Sequence, residues 1–309
     1  MTESHHSPIL VIDRIEVIIY IPDADHYRYL YRTMWDLKLE GRAKTWRNKF
    51  QTRSTIALSS SESLFMEIGG THRKNYVKFG WQPDALNDEA WLELYALFVT
   101  LFDFGYLTLF NDAKVTYIEI AADYREINIS DLWVFDARVK NSTILPSFPE
   151  PVQTIYIGHR KHSPRRFCIY NKARQLRKVK DTEVDGELTR IETRLRRTGL
   201  SPRNLNELTN PFTTLSVCTK LESRALLPSQ RFAAFMDQCD ERGANAALHS
   251  CSLARRKQFS GILRRASCDW WQPETLWERW PQALQVLAPR YDLPIRIQFQ
   301  KKSRCSQQT

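Results

Sequence analysis

Carboxylates, a tyrosine and several cations alternate with aliphatic residues along three segments, 115–123, 167–172 and 188–196. Within each segment the charged residues and the tyrosines share one parity, and most of the large apolar residues share the other. Successive side chains of a β-strand point to opposite faces, so each strand would turn its polar set away from the core. The polar residues are Glu119, Asp123, Tyr170, Lys172, Arg190, Glu192 and Arg194.

These residue types allow metal-assisted phosphoryl transfer if the polar faces meet. A ligand set made only of carboxylate oxygens (Glu119, Glu192 and Asp123) favours Mg²⁺ or Mn²⁺ over zinc. A tyrosine hydroxyl, with an ordinary pKa of about 10, is a poor nucleophile until a cation stabilises its phenolate. A metal ion, with Lys172 beside the phenol, would meet that need. The predicted chemistry is attack by Tyr170 on a DNA phosphate.

Each of these features also has a structural interpretation. A tyrosine near the end of a strand often serves packing, and Glu119 and Glu192 could pair with arginines across strands without a metal. His159 and His162 flank a basic turn, where a phosphate contact is favoured over metal ligation.

Positive charge is concentrated in one part of the chain. The formal net charge is +10, the pI is about 9.3, and residues 158–197 hold 13 Lys and Arg against five Asp and Glu. This excess predicts a polyanionic partner and a steep salt dependence of binding. A solvated basic loop is the alternative.

Composition and length predict a folded, soluble, cytoplasmic protein. Hydrophobic residues make up 42% of 309 residues, and no apolar run approaches the roughly 18 residues of a membrane span. The N-terminal sequence lacks the basic and apolar regions of a secretion signal. Six scattered cysteines without a C-x-x-C pair indicate reduced thiols and argue against a disulfide framework or a zinc site.

The pattern of elements predicts an α+β protein. Strand patterns cover 10–23, 114–126, 154–160, 165–173 and 187–197, and short alternating runs after residue 53 indicate an antiparallel meander. Helical patterns cover 23–40 and 86–105, and a proline-containing connection (142–153) and a polar loop or short helix (174–187) join the later strands. Beyond residue 205 the patterns are helical, in 227–250, 255–267 and 273–289.

We therefore expect an antiparallel sheet of the ferredoxin-like, duplicated βαβ type with helices on one face. Segments 13–23 and 116–126 share an Ile-Glu-aliphatic core, which suggests two similar halves. The predicted domains are a catalytic nicking domain, 1–210, and a helical C-terminal region, 211–309.

An ordered trio of motifs resembles the rolling-circle replication initiators of plasmids and filamentous phages, of the Rep_trans type, akin to the phage gene II and RstA-like initiators. The motifs are "KVTYIEIAADY", "TIYIGHRKHSPRRFCIYNKARQL" and "LTRIETRLRR", which together span residues 114–197. The middle motif is similar to the family's Tyr-x-Gly-x-Arg-Lys-x-Ser followed by Arg-x-x-Tyr-x-Lys. The C-terminal third of the chain adds little to the resemblance.

The resemblance implies site-specific nicking at a replication origin, with a tyrosine linked to the 5′-phosphate and a free 3′-hydroxyl that primes synthesis. The nucleophile would be Tyr170, with Tyr156 as its rival, and Glu119 and Glu192, with Asp123 as a third, would hold the metal. The family is loosely related to His-hydrophobic-His nucleases, but this chain has no such triplet, so the carboxylates would substitute. His159 stands where the family often has Ser, which leaves a histidine ligand open. Lys172 would contact phosphate, and the expected DNA contacts are Arg160, Lys161, His162, Arg165, Arg166, Arg190 and Arg194.

The expected partners are origin DNA, single-stranded or as a hairpin, and a host helicase, and a homodimer is allowed. The C-terminal helices would bind origin duplex, a second subunit or the helicase. Two other functions remain open from the sequence: a non-catalytic DNA-binding regulator on the same sheet, and an RNA-binding protein that stacks aromatic side chains on bases.

Overall fold

The computed structural model describes residues 8–48, 51–59, 61–70, 75–147, 150–160, 163–180, 185–227 and 230–289. Ten strands form a large antiparallel sheet, and two more form a small separate sheet, so the predicted α+β class is confirmed. The strands are β1 (Ile9–Tyr20), β2 (Ala43–Asn48), β3 (Gln51–Ala57), β4 (Ser63–Gly70), β5 (Asn75–Trp81), β6 (Lys114–Arg125), β7 (Leu132–Phe135), β8 (Ser142–Ser147), β9 (Glu150–Ile157), β10 (Arg165–Asn171), β11 (Leu188–Arg196) and β12 (Ser216–Thr219).

Helices alternate with these strands and dominate the C-terminal part of the described chain. They are α1 (Ala24–Leu39), α2 (Asp88–Leu101), α3 (Tyr106–Asp112), α4 (Lys172–Lys180), α5 (Lys220–Leu226), α6 (Gln230–Arg242), α7 (Ala244–Ser250), α8 (Leu253–Arg265), α9 (Pro273–Trp277) and α10 (Trp280–Leu284). Short 3₁₀ turns supplement them.

The described chain divides into two units that do not follow the predicted domains. Unit 1 takes residues 8–18, 80–84 and 114–287, and unit 2 takes 19–79, 85–113 and 288–289. The boundary expected near residue 210 falls inside unit 1. The C-terminal helices share this unit with the strands of the predicted site, because they pack on β7 and β12 within it.

In unit 1 the strand order is β1-β6-β11-β10-β9-β8, antiparallel throughout. β6 and β11 pair without interruption from Leu188 opposite Arg125 to Arg196 opposite Tyr117. The aliphatic parity of these strands is buried, with Ile118, Ile120 and Ile191 fully shielded from solvent. Burial of these β-branched side chains fixes the register, because a slip of one residue would expose them and bury the charged parity.

The C-terminal helical prediction is confirmed in position. The pattern at 227–250 forms α6 and α7, the pattern at 255–267 forms α8, and the pattern at 273–289 forms α9 and α10. The helices α6, α7 and α8 pack on the two-stranded sheet β7–β12 around a core that includes Trp133, Phe235 and Leu263. The two short strands were missed because each has only four residues, too few for a periodic signal.

Unit 2 contains the predicted meander, with strand order β2-β3-β4-β5. The side chain of Asp23 caps α1 by accepting hydrogen bonds from the backbone N–H groups of Asp25 and His26. The helix predicted over 86–105 forms as α2, and Gly105, which was expected to follow its end, adopts a φ of 54° and precedes α3. Among the described residues no single helix meets the length and hydropathy of a membrane span; α2 and α3 meet them jointly but are bent by 81°.

One predicted connection is different in the structure, and the other adopts the helical alternative of its prediction. The proline-containing stretch 142–153 forms β8 and the start of β9, and the polar segment after β10 begins as α4. Asn171 explains the direct passage from strand to helix, because its Oδ1 accepts a hydrogen bond from the Arg174 backbone N–H at 2.9 Å. Lys172 is consequently the first residue of a helix and not a strand residue.

Candidate active site

The polar faces of β6, β10 and β11 meet on one side of the sheet in unit 1, as the alternation predicted. Glu119 lies opposite Arg194, Cys168 lies opposite Glu192, and Tyr170 lies opposite Arg190. All of these side chains except Arg190 border a cavity of about 420 Å³. Its lining includes Asp13, Glu119, Tyr156, Tyr170, Glu192 and Arg194.

Three carboxylates in this cavity form a cluster that could hold a metal ion. One oxygen from each of Asp13, Glu119 and Glu192 lies within 4.8 Å of the other two. Glu119 and Glu192 are 8% and 1% exposed, so these two acids are removed from bulk water. The all-oxygen donor set fits Mg²⁺ or Mn²⁺.

Asp13 is the member of the cluster that the sequence prediction missed. The register of β1 with β6 shifts between Ile12, which faces Ile120, and Arg14, which faces Glu119. Such a bulge lets two successive residues oppose one. Asp13 and Arg14 therefore both lie on the polar face, which simple alternation does not allow. A signal was present in the sequence, because a carboxylate inside the aliphatic run of β1 needs a partner or a metal.

Asp123 does not belong to the cluster, which corrects its prediction as a third ligand. Both of its oxygens accept hydrogen bonds from Arg190, at 2.6 Å from Nε and 2.7 Å from Nη2. Arg190 also donates from Nη1 to Asp13. The physical reason is distance along the strand, because residues four apart in a strand are separated by about 13 Å. Glu119 and Asp123 share a face without sharing a cation.

The electrostatics of the cluster combine repulsion between acids with two close cations, Arg190 beside Asp13 and Arg194 beside the two glutamates. Burial raises the pKa of Glu192 to about 7, and the negative charge of Glu119 adds to the increase. Arg194 opposes the increase, since its Nε donates to Glu192 and lies 3.4 Å from Glu119. The Tyr117 hydroxyl donates to Glu119 as well. Arg194 thus acts as the counter-cation of Glu119 and Glu192.

Tyr170 lines the same cavity and is half-buried. Burial holds the pKa of its hydroxyl well above the ordinary value, and the nearby Arg190 reduces that effect. Glu192 and Asp13 belong to the same electrostatic neighbourhood. The Lys172 ammonium lies 5.9 Å from the ring centroid and donates to Gln175 at 3.1 Å. The predicted proximity of Tyr170 to acids and to a lysine is confirmed.

Tyr156, the rival nucleophile, lines another part of the cavity wall. Its ring lies under the Arg166 guanidinium, 3.9 Å from centroid to Cζ. Burial and the neighbouring Cys168 raise the pKa of its hydroxyl, and Arg194 and Arg166 oppose the increase. The charged groups that act on Tyr156 are therefore cations, whereas those that act on Tyr170 include two of the clustered acids.

The predicted DNA contacts do not form one cationic track. Arg190 is 3% exposed and held by two aspartates, so the prediction that it contacts DNA is wrong. Arg165 is partly exposed and pairs with the buried Asp136 at 3.2 Å. Arg194 borders the cavity, Arg166 stacks on the ring of Tyr156, and Arg160 is exposed. Lys161 and His162 lie outside the described residues.

His159 is exposed, and its backbone N–H donates to the Ser163 hydroxyl at 2.8 Å. Gly158 precedes it with a φ of 104°, and a Cβ there would meet the Arg165 carbonyl oxygen at 2.9 Å. Glycine is thus required for β10 to return beside β9, which accounts for the Tyr-x-Gly spacing of the motif in structural terms.

The fold and the site define an α+β protein with an acidic cluster that could hold a metal ion, in a cavity that Tyr156 and Tyr170 also line. No protein-family model matches the chain, and no curated protein matches it at a significant level. The resemblance to rolling-circle initiators therefore stays a prediction from the three motifs.

Proposed function

We propose that this protein is a metal-dependent tyrosine nickase and strand transferase that starts rolling-circle replication of a plasmid or filamentous phage. The observation that carries the proposal is the placement of Tyr170 in one cavity with Asp13, Glu119 and Glu192. The resemblance of the three motifs supplies the biological role, and the charge of the 158–197 segment supports a polyanionic substrate.

Asp13, Glu119 and Glu192 would hold Mg²⁺ or Mn²⁺. When bound, the cation would polarise a phosphodiester oxygen and offset the negative charge on the oxygens of the phosphate. Arg194 now neutralises two of these acids. If a bound cation supplied this positive charge instead, the planar guanidinium of Arg194 could turn to the phosphate and donate two parallel hydrogen bonds.

Tyr170 would act as the nucleophile. The hydroxyl gives its proton to solvent, and the phenolate oxygen forms a bond to phosphorus while the bond from phosphorus to the 3′-oxygen breaks. The leaving oxygen takes up a proton, which yields a 3′-hydroxyl and a 5′-phosphotyrosine without any oxidant or further reactant. Because burial raises the pKa of Tyr170, the resting protein holds almost no phenolate, and the cations Lys172 and Arg190 stabilise the phenolate as it forms.

A second function is favoured by the completeness of the ion pairs. Arg194 with Glu119 and Glu192, and Arg190 with Asp123 and Asp13, satisfy the buried acids without a metal. A non-catalytic DNA-binding regulator could use the same sheet for recognition, with the arginines as permanent partners of the acids.

A cleavage assay separates the two functions. The protein is mixed with Mn²⁺ and a pool of randomised single-stranded oligonucleotides, and the products are sequenced from their new 3′-ends. Nicking at a recurrent sequence that is lost in Glu119→Gln and in Tyr170→Phe but kept in Tyr156→Phe supports the nickase. Retention of the pool on the protein without new ends, equally in wild type and Glu119→Gln, supports the regulator.

A further inference from the structure

A strongly basic helix lies in unit 1 outside the candidate active site. α8 carries five Lys or Arg and no Asp or Glu in 13 residues. It follows α7 after only two residues, and both helices pack with α6 around one core. The C-terminal position was predicted to contact DNA, a subunit or a helicase, and the side chains of α8 distinguish among these.

The two faces of α8 differ sharply. Phe259, Leu263 and Ala266 are buried in the core of the three helices. The opposite face is exposed along the whole helix, at 3.6-residue spacing. It consists of Ala254, Lys257, Gln258, Gly261, Arg264 and Arg265.

The cations of this exposed face have no structural task within the part of the chain that the structure describes. Lys257, Arg264 and Arg265 make no ion pair or side-chain hydrogen bond there. Arg256, by contrast, projects sideways and donates to the carbonyl oxygens of Leu248 and His249 at 3.2 and 3.3 Å, which fastens α8 to the end of α7. Arg256 therefore stabilises the packing of α8, whereas Lys257, Arg264 and Arg265 face solvent.

Gly261 lies at the centre of the exposed face, in the interior of the helix. A Cβ added at this position would meet nothing within 4 Å, so no packing inside the described protein requires glycine. Glycine in a helix interior is less stable than alanine, and it is useful where another molecule approaches the backbone closely. The bare backbone is flanked by cations on both sides, which points to a polyanion as the approaching molecule.

We propose that this face of α8 is a binding surface for duplex DNA, seated in the major groove. The helix is about 20 Å long, and the groove, about 12 Å wide, admits one helix. Lys257, Arg264 and Arg265 would contact phosphates on the groove walls, Gly261 would permit the close approach, and the exposed Gln258 could donate to and accept from a base edge. This surface extends beyond the proposed nicking chemistry and does not depend on it.

The test compares two variants of equal charge change. The triple variant Lys257→Gln, Arg264→Gln, Arg265→Gln removes the α8 cations, and Lys114→Gln, Arg125→Gln, Arg203→Gln removes three exposed cations from other parts of unit 1. Anisotropy of a labelled mixed-sequence duplex of about 30 base pairs, three helical turns, is measured over a range of salt concentrations. We expect the α8 variant to lose at least ~10-fold in affinity at low salt and about 3 units of salt slope, and the control to change little.

Equal losses in the two triple variants would overturn the proposal. So would tighter binding of wild type to duplex RNA or to anionic phosphatidylserine vesicles than to the duplex DNA. Gly261→Ala gives an independent check, because alanine should raise the melting temperature while it weakens duplex binding. An unchanged affinity of Gly261→Ala for the duplex would contradict the placement of α8 in the major groove. Nicking of single-stranded DNA, measured in parallel, should persist in the α8 variant, which separates this surface from the proposed function.

Discussion

Asp123 and Arg190 form a two-pronged ion pair across neighbouring strands, with Nε 2.6 Å from Oδ1 and Nη2 2.7 Å from Oδ2. Arg190 extends from this pair to Asp13, which is itself part of the acidic cluster. The buried Arg190 thus links Asp123, which lies outside the acidic cluster, to Asp13, which belongs to it. The pair explains why the candidate ligands are Asp13, Glu119 and Glu192.

Substitution of one acid at a time should distinguish the metal ligands of the cluster from Asp123. In Asp13→Asn, Mn²⁺ affinity should fall by at least ~10-fold, because one of three charged ligands becomes neutral. In Asp123→Asn the affinity should stay within a few-fold of wild type, whereas the melting temperature should drop because Arg190 loses a partner. Titration of Mn²⁺ followed by its electron paramagnetic resonance signal measures both. Equal affinity losses in the two variants would show that the cation, if bound, lies elsewhere.

Proton uptake by Glu192 should make stability depend on pH in the metal-free protein. The folded-state pKa of about 7 exceeds the ordinary value of 4.5, so between these limits the folded protein binds more protons than the unfolded one. The free energy of unfolding should therefore fall as pH rises from about 4.5 to about 7. In Glu192→Gln this component should disappear. Urea denaturation in EDTA across the window measures it, and identical pH slopes in wild type and variant would refute the assignment.

The same proton should compete with the metal. Binding of Mn²⁺ requires the ionised carboxylate, so affinity should increase as pH rises toward 7 and level off above it. Calorimetry in two buffers of different ionisation enthalpy should show proton release below pH 7. Affinity that is constant from about pH 5 to pH 8 would contradict a role for Glu192 as a ligand.

Loss of Arg190 should cost stability and not simply DNA contacts. Arg190→Gln leaves Asp123 and Asp13 half-buried without their cation, and breaking such a network typically costs about 3 to 5 kcal/mol. The exposed Arg160, predicted from the sequence as an equivalent DNA contact, is the matched control. Arg160→Gln should change the free energy of unfolding by less than about 0.5 kcal/mol. Similar small effects in both variants, measured by denaturant unfolding, would contradict the buried pairing.

Much of the candidate site was predictable because strands alternate with a period of two. That period correctly placed Glu119, Glu192 and Tyr170 on one polar face, opposite the buried Ile118 and Ile191. Parity predicts which face of the sheet a side chain occupies, but not how far apart two side chains on that face lie. Asp123 was therefore grouped with Glu119, although four residues of strand keep them apart.

The rest of the site depended on features that alternation does not encode. Asp13 reaches the cluster through a bulge whose position is set by pairing with β6, a contact between distant parts of the sequence. Arg190 and Arg194 carry the same charge in the sequence, yet depth in the sheet makes one a buried partner of aspartates and the other a neighbour of the cavity. The unit boundary was missed because the unit 2 segments 19–79 and 85–113 are inserted between segments of unit 1 in the sequence. No shift in composition marks where these segments begin and end.

The most direct test of the central claim is identification of the residue that becomes linked to DNA. The protein is incubated with Mn²⁺ and the randomised single-stranded pool, digested with a protease and a nuclease, and the nucleotide-bearing peptide is sequenced by mass spectrometry. We predict a 5′-phosphate on Tyr170, within the peptide that includes "FCIYNK", and its loss in Glu192→Gln. A nucleotide on Tyr156, or tight binding of the pool with no linked peptide, would contradict the account.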